Sequence, residues 1–373
     1  MTRRVVIIGG GISGLYAARR LLQIAPQLEV DVLEASPRAG GILGTERVED
    51  FVVESGPDSI LSARPFAMQA IRELGLEREL ISTRSEHRGA YVVQGRQLER
   101  IPAGFSLIAP TDLKAFWASP LLSYRAKLRA SLEPFLPRTR FAEDDESLRH
   151  FVERRFGKAL FENLAEALAG GVYGADPSRL SMAASMRRFL DAEAKHGSVL
   201  RGLWAEKEAI QGEGGARYGL FVAFAGGMQT LVDALARPLE SRLRTSSTIT
   251  ALECAPSKVW RIGLESGESI EADALVIATP AWQSARLLAA ASDRLARLLA
   301  AITYSPAAIV TLAWRDHRLA LDHPLDASGV VVPRREGLAL RAMTWSSSKW
   351  PHRAPEGAAL LRVFFGGSGG QKV

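Results

Sequence analysis

The chain opens on an unbroken apolar run, Val5-Val6-Ile7-Ile8, whose β-branched content predicts a buried strand. Gly9-Gly10-Gly11-Ile12-Ser13-Gly14 follows at once, and Leu15, Ala18, Leu21 and Leu22 then recur at helical spacing. A second strand is predicted over Val30-Asp31-Val32-Leu33-Glu34 and a third over Phe51-Val52-Val53-Glu54. Pro65 opens a helix carrying Ala67, Ile71 and Leu74 that stops at Gly75. A hairpin turning at Gly95 is predicted between Tyr91 and Ile101, ended by Pro102. From about Ser106 to Gln211 the period becomes helical, with stripes such as Leu121, Leu122, Leu128 and Leu132, and Leu160, Phe161, Leu164 and Leu168. Asp145 or Ser147 is placed to cap the helix that carries Leu148, Phe151, Val152 and Phe156. Beyond Phe221, Gly226-Gly227 precedes a helix with Leu231, Val232, Leu235 and Leu239, and short strands are predicted at 249–252 and 259–262. Ala274 to Pro280 is apolar with a small-residue exit, as in a parallel sheet approaching a ligand. Strands at 307–314, 329–332, 338–344 and 359–365 predict a second sheet.

Strand, glycine turn, helix and second strand form a dinucleotide-binding pattern, because Glu34 lies 20 residues beyond Gly14, where an acid meets ribose hydroxyls. Gly9 permits the tight exit from the strand, Gly11 lets backbone approach a pyrophosphate, and Gly14 lets helix and strand pack closely. The open N–H groups and dipole of the helix attract phosphate. Glu34 is succeeded by Arg38, Gly40 and Gly41, then by Glu54-Ser55-Gly56-Pro57. This continuation resembles the FAD-binding amine oxidase and desaturase superfamily and selects FAD over a nicotinamide cofactor.

Composition narrows the remaining choices. At 373 residues the chain exceeds what one hydrophobic core usually supports, and 47% apolar residues give ample material for burial. A net charge of +6 is spread along the chain; it leans toward an anionic ligand or membrane surface and lacks the clustered stripe expected for nucleic acid. The single cysteine, Cys254, excludes an internal disulfide framework and suits a cytoplasmic protein. Six scattered histidines offer no metal-ligand spacing. The apolar run at the amino terminus breaks into glycines without a cleavage site, so it reads as a strand and not as a signal peptide. Phe116 to Phe135, basic, aromatic and broken by proline, reads either as core packing or as an interfacial membrane surface. No nucleophile, paired carboxylates or Cys/His grouping marks a catalytic residue, and a flavin would make one unnecessary by supplying the redox chemistry itself.

Several segments together make the resemblance specific: the opening Val-Val-Ile-Ile-Gly-Gly-Gly-Ile-Ser-Gly-Leu, Glu54 to Ser59, Arg88 to Val93 with Gly95-Arg96, and Gly171-Val172-Tyr173-Gly174-Ala175-Asp176 followed by Leu180-Ser181. Phe224 to Met228 and Ala278 to Ala281 add to them. They resemble the oxygen-dependent protoporphyrinogen oxidase family of haem biosynthesis, which includes coproporphyrinogen oxidases. The resemblance covers residues 1 to about 368, and the Gly-Val-Tyr-Gly combination separates it from amine oxidases and phytoene desaturases.

That resemblance implies an α/β (overall α+β) fold: a Rossmann-type FAD domain over 1–85 and 220–290, a mixed-sheet substrate domain over 86–105 and 291–373, and an inserted helical domain over 106–219 that rests on the membrane in several members. It implies oxidation of a porphyrinogen by six electrons in three flavin cycles, with dioxygen as acceptor, hydrogen peroxide as product and hydride leaving a meso carbon for flavin N5. Other haem-pathway enzymes are implied as partners, and a cytoplasmic location with peripheral contact to the cytoplasmic membrane. The expected FAD contacts are Gly9, Gly11, Ser13, Gly14, Glu34, Ala35, Arg38, Gly40, Gly41, Gly56, Pro57, Asp58, Ile249 and Thr279. Arg88 is expected to pair with a substrate propionate, Gly171 to face the tetrapyrrole with its backbone, and Val331, Met343 and Phe364 to form apolar wall.

After Phe364-Phe365-Gly366-Gly367-Ser368 the chain leaves the family pattern and lacks the closing G-N-x-Y-x-G-V-G motif. The expectation is therefore either a fragment or a lost reading frame, and in both cases a chain that binds FAD weakly. Another FAD oxidase of the amine oxidase or desaturase type, and a non-enzymatic remnant that binds tetrapyrrole, are the alternatives.

Overall fold

The computed structural model of the protein describes residues 3–138, 145–212, 220–316 and 322–366. Residues 367–373, which include the divergent 369–373, lie outside them. In chain order the elements that position the site are β1 (Arg4–Ile8), α1 (Ile12–Ile24), β2 (Glu29–Leu33), the hairpin strands β3 (Tyr91–Gln94) and β4 (Gln97–Arg100), α2 (Tyr124–Ser131) and α3 (Glu166–Tyr173). They continue with β5 (Leu243–Arg244), β6 (Ala274–Ile277), β7 (Ala307–Trp314), β8 (Gly329–Val331), β9 (Leu340–Trp345) and β10 (Ala359–Gly366).

These elements fall into two compact units, residues 1–82 with 220–304, and residues 83–219 with 305–373. Residues 291–304, expected with the substrate sheet, belong to the first, because the helix Asp293–Ala300 packs on the helix Ala281–Leu288. The helical segment expected over 106–219 shares the second unit with that sheet.

In the first unit a parallel sheet runs in the order β5-β2-β1-β6. Val5 stands between Val30 and Ala274, and Ile8 between Leu33 and Ile277. The apolar run of β1 is central, so both its faces are covered and no polar alternation is needed. On one side α1 buries Gly14, Leu15 and Ala18. On the other, an antiparallel sheet of Ile249–Cys254, Trp260–Leu264 and Ser269–Ala272 supplies Leu252, Ile262 and Ile270 to a core shared with Val6, Ile8 and Leu33.

The second unit is built on a six-stranded sheet in the order β7-β10-β9-β8-β3-β4, in which β8 and β3 run parallel and the other pairs antiparallel. Its two faces have different covers. Val330, Met343, Trp345 and Leu361 pack with Val93, Leu325 and Ala327 on one face. Val92 and Val331 pack on the other against the helical segment, whose core holds Phe116, Phe151, Phe156, Leu160 and Leu164. Within that segment Glu133 is fully buried: its carboxylate pairs with Arg155 and accepts hydrogen bonds from Ser198 Oγ at 2.6 Å and the backbone N–H groups of Val199 and Leu200 at 2.9 and 3.1 Å. A buried ion pair is stable only when its remaining hydrogen-bonding capacity is used, and here it is.

Candidate functional site

Residues of the first unit enclose a groove of about 770 Å³ at the carboxyl ends of β1 and β2, where an open α/β sheet binds ligands. Gly9 leaves β1 with φ +105°, a conformation open to glycine, and its N–H donates to Leu33 O at 2.8 Å. A Cβ on Gly14 would stand 1.9 Å from Gly9 O, so only glycine lets α1 start this close to the strand. A Cβ on Gly11 would meet nothing nearer than Gly41 Cα at 4.0 Å, so the backbone there is bare toward the groove. Gly11 is the N-cap of α1 and no side chain caps the helix, which leaves its first N–H groups and the positive end of its dipole for an anion.

Glu34 closes the far side of the groove. It is buried, and its two carboxylate oxygens accept from Gly10 N at 2.6 Å and Ser36 N at 2.8 Å. Those bonds fix the group's orientation and leave lone pairs for hydroxyl donors. Gly10 was not among the expected contacts, yet a Cβ there would lie 2.9 Å from Glu34 Cβ, so it is the glycine that lets the acid approach.

Of the expected cofactor contacts, Gly9, Gly11, Ser13, Glu34, Ala35, Gly40, Gly41, Ile249 and Thr279 line this groove. Arg38 acts on the chain itself: its guanidinium donates to the carbonyls of Ala39, Gly41 and Leu43 at 3.1, 3.1 and 2.8 Å and shapes the Gly40-Gly41 loop. Gly14 is buried beneath the groove. Gly56, Pro57 and Asp58 follow the strand Phe51–Glu54 and do not line it; Gly56 sits where a Cβ would meet Ile42 O at 1.8 Å. Trp282 and Arg286, which do line it, stack with the guanidinium 5.2 Å from the ring centroid. Nothing in the spacing of these two marks them, since they reach the groove through the helix after β6.

The second unit carries the residues expected to meet substrate, and the sheet register separates them. Val331 pairs with Ala342, Ala342 with Phe364, and Phe364 with Ile309, so these four form a row across one face. Met343 pairs with Val330 and Val363 and packs on the opposite face with Trp345 and Leu361. Met343 therefore does not share a wall with Val331 and Phe364, because adjacent residues of a strand point to opposite faces. Gly171, exposed near the end of α3, is seated on the row: a Cβ there would lie 3.5 Å from Val331 Cγ1 and 3.6 Å from Ala342 Cβ. Arg88 is exposed before β3, several residues along the chain from Val92, the partner of Val331. It does not line a cavity of about 480 Å³ in this unit, which Arg84, His87, Ser348 and His352 border.

The chemistry of the groove in the first unit suits a dinucleotide: bare backbone and an uncapped helix start for phosphates, and an oriented carboxylate for ribose. The sequence profile of flavin-containing amine oxidoreductases matches residues 12–373. The chain belongs to this family. It is a flavin-dependent oxidoreductase with FAD as cofactor, and the groove's residues fit the group. The chain is 32% identical over 386 residues to coproporphyrinogen III oxidase of Bacillus subtilis, covering 100% of this chain and 79% of that one. It is 30% identical to chloroplastic protoporphyrinogen oxidase of Nicotiana tabacum, covering 97% and 67%. Among solved structures, a candidate protoporphyrinogen oxidase from Exiguobacterium sp. 255-15 superposes with a TM-score of 0.85 at 29% identity, over 98% of this chain and 77% of that one.

Proposed function

We propose that this oxidoreductase aromatises a porphyrinogen, with coproporphyrinogen III the favoured substrate. What carries the reading is the similarity, along nearly the whole of this chain and 79% of each relative, to coproporphyrinogen III oxidases of Bacillus subtilis and Staphylococcus aureus, at 32% and 30% identity. The apolar row beside Gly171, within the Gly171-Val172-Tyr173-Gly174 segment, supports it as a surface for a flat ring. Arg341, next to Ala342 on β9, adds a positive charge beside this row, suited to a substrate with four carboxylates.

Bound FAD supplies the two-electron acceptor chemistry, used three times per substrate. The chain's own residues then bind and orient. The open N–H groups at Ile12 and Ser13 would hold the pyrophosphate, and the Glu34 carboxylate would accept from ribose hydroxyls. Val331 and Ala342 lie under the Gly171 helix, and Phe364, half-buried farther along the row, would give the macrocycle an apolar support. Porphyrinogen loses six electrons and six protons, and three dioxygen molecules take them up as three hydrogen peroxide.

The test is aerobic incubation of the FAD-loaded chain with coproporphyrinogen III and, separately, protoporphyrinogen IX, following porphyrin fluorescence and peroxide. Faster growth with coproporphyrinogen III is expected. Oxidation of neither porphyrinogen by flavin-replete protein would overturn the proposal.

A lipid surface is proposed as the location, on a specific observation. Of the Phe116 to Phe135 stretch, Phe116, Leu121 and Leu122 are core, whereas Tyr124, Leu128, Leu132 and Phe135 are exposed, Tyr124 at 78% and Phe135 at 76%. The spacing puts Tyr124, Leu128 and Leu132 on one side of α2 and its continuation, with Arg125 adjacent. Among the described residues no helix is long and apolar enough to cross a membrane. Co-sedimentation with anionic phospholipid vesicles, lost in a Tyr124→Ser/Phe135→Ser variant, is the expected result.

A further inference from the structure

The turn after β8, Pro333 to Glu336, reaches the start of the Gly171 helix and the segments just before and just after it. Arg334 Nε lies 3.4 Å from Glu166 Oε1 at the first residue of α3, and Arg334 Nη1 lies 3.9 Å from Asp176 Oδ2 just beyond its end. Arg335 Nη1 donates to Asn163 Oδ1, and Asn163 Nδ2 donates to Ala159 O at 2.6 Å. Asn163 sits in a single π-helical turn, Phe161–Ala165, directly before α3. Such turns interrupt the regular hydrogen-bond ladder and occur often at functional sites. Glu336 Oε2 on the same turn accepts from Gly95 N at 3.1 Å, which ties it to the β3–β4 hairpin.

The two acids differ in how far they depend on Arg334. Burial pushes the Glu166 carboxyl above its ordinary range, and the Arg334 guanidinium and backbone N–H oppose that push. Burial acts on Asp176 in the same direction, but the Ser178 N–H and hydroxyl, at 2.9 and 2.8 Å, with Arg334 as well, hold it below its ordinary value. Gly174 ends α3 in the left-handed conformation and turns the chain back so that Asp176 returns toward the same cation. One guanidinium therefore spans both ends of the eight-residue helix that carries Gly171.

We propose that Arg334 is a positioning residue for the substrate surface: by joining Glu166 and Asp176 it clamps the Gly171 helix on the Val331–Ala342–Phe364 row and fixes the step between them. The role in substrate binding rests on the porphyrinogen reading; the clamp itself does not. Arginine suits this work because its planar fork engages two carboxylates at once, which a lysine ammonium does less well.

The full-length chain with Arg334→Ala, Arg334→Lys and Glu166→Gln separates the two claims. Backbone amide exchange across 166–174 in Arg334→Ala is expected to accelerate about 5- to 10-fold, the size of two partly screened ion pairs, while exchange across 4–24 stays unchanged. Arg334→Lys recovers part of that protection. Titration with coproporphyrin III, followed by fluorescence, is expected to weaken by a similar factor, with KM rising and kcat within twofold. Unchanged exchange at 166–174, or acceleration spread over the whole second unit, overturns the clamp. Were Arg334→Ala not to fold, Glu166→Gln decides, since it removes one arm only: a local rise in exchange upholds the clamp and no rise refutes it. If the unsubstituted chain binds no porphyrin, the substrate reading fails while the exchange result still decides the clamp.

Discussion

A methyl group added at Gly14 would stand 1.9 Å from the Gly9 carbonyl oxygen, whereas one added at Gly171 would rest at ordinary contact distance, 3.5 Å from Val331 Cγ1 and 3.6 Å from Ala342 Cβ. Both glycines belong to recognisable motifs, yet they restrict the chain in different ways. The cofactor groove is made of backbone, and there the absence of side chains is itself the binding surface. The sheet row of the second unit is made of side chains whose neighbours are chosen by strand register. A single carbon atom decides the first; several residues share the second.

The largest expected effect follows from the backbone case. Gly14→Ala must push α1 away from β1 or break the turn, so flavin content after reconstitution should fall below about a tenth of the unsubstituted level, as expected when the tight phosphate turn is lost. Flavin absorbance against protein absorbance measures it, and near-full occupancy would show that the turn relaxes at little cost. Next comes the side-chain extreme of the second unit. Glu133→Ala removes the nearer acid partner of the buried Arg155, leaving it to Glu193 at 3.3 Å, and deprives Ser198 Oγ and the N–H groups of Val199 and Leu200 of their acceptor. A loss of about 3–5 kcal/mol is expected in denaturant unfolding of that unit. A loss under about 1 kcal/mol, within the range of an exposed ion pair, would mean that water replaces the carboxylate.

Glu34→Ala tests the groove where a side chain does contribute. Removing an oriented carboxylate that accepts from Gly10 N and Ser36 N should weaken FAD binding about 10- to 100-fold, the range of one or two charge-assisted hydrogen bonds. Isothermal titration of the apoprotein reads this directly. Smaller still, and opposite in kind, are the effects expected at Met343 and Phe364. Met343→Ala should destabilise the unit by about 2 kcal/mol without altering KM, since it lies on the face away from the Val331 row. Phe364→Ala should raise KM at a comparable loss of stability, because Met343 and Phe364 are both half-buried and only Phe364 lies in the Val331 row. A KM change at Met343 equal to that at Phe364 would refute the division of the two faces.

This difference in construction also explains what the sequence could reveal. Gly9, Gly11, Gly14 and Glu34 are legible because a phosphate turn dictates residue type at fixed spacing, whatever the rest of the fold does. The six-stranded sheet is legible as strands, but its register is not. That Val331 lies beside Ala342 and Phe364 while Met343 turns away depends on a shift in pairing between Leu340 and Ala342, which puts an extra residue, Arg341, into β9. No local pattern announces such a bulge. Trp282 and Arg286 escape for a similar reason, since they enter the groove on a helix whose direction is set by tertiary packing. Arg38, conversely, is recognisable by spacing, but its guanidinium serves the loop carbonyls of Ala39, Gly41 and Leu43.

Gly171→Ala has the smallest expected effect on stability and is the sharpest test of the second unit's role. Within α3 the φ of Gly171 is not positive, and its Cβ would touch Val331 and Ala342 without overlap. Alanine also has the higher helix propensity, so the variant should be slightly more stable, by up to about 1 kcal/mol. Backbone that serves packing alone predicts unchanged or improved coproporphyrin binding. Backbone that itself meets the ring predicts weaker binding in a more stable protein, because the new methyl would also occupy part of the exposed edge where the ring rests. The two outcomes have opposite signs, so a fluorescence titration beside a thermal melt distinguishes them. Weakened binding with raised stability is expected, and equal binding would move the substrate surface away from Gly171 toward Phe364.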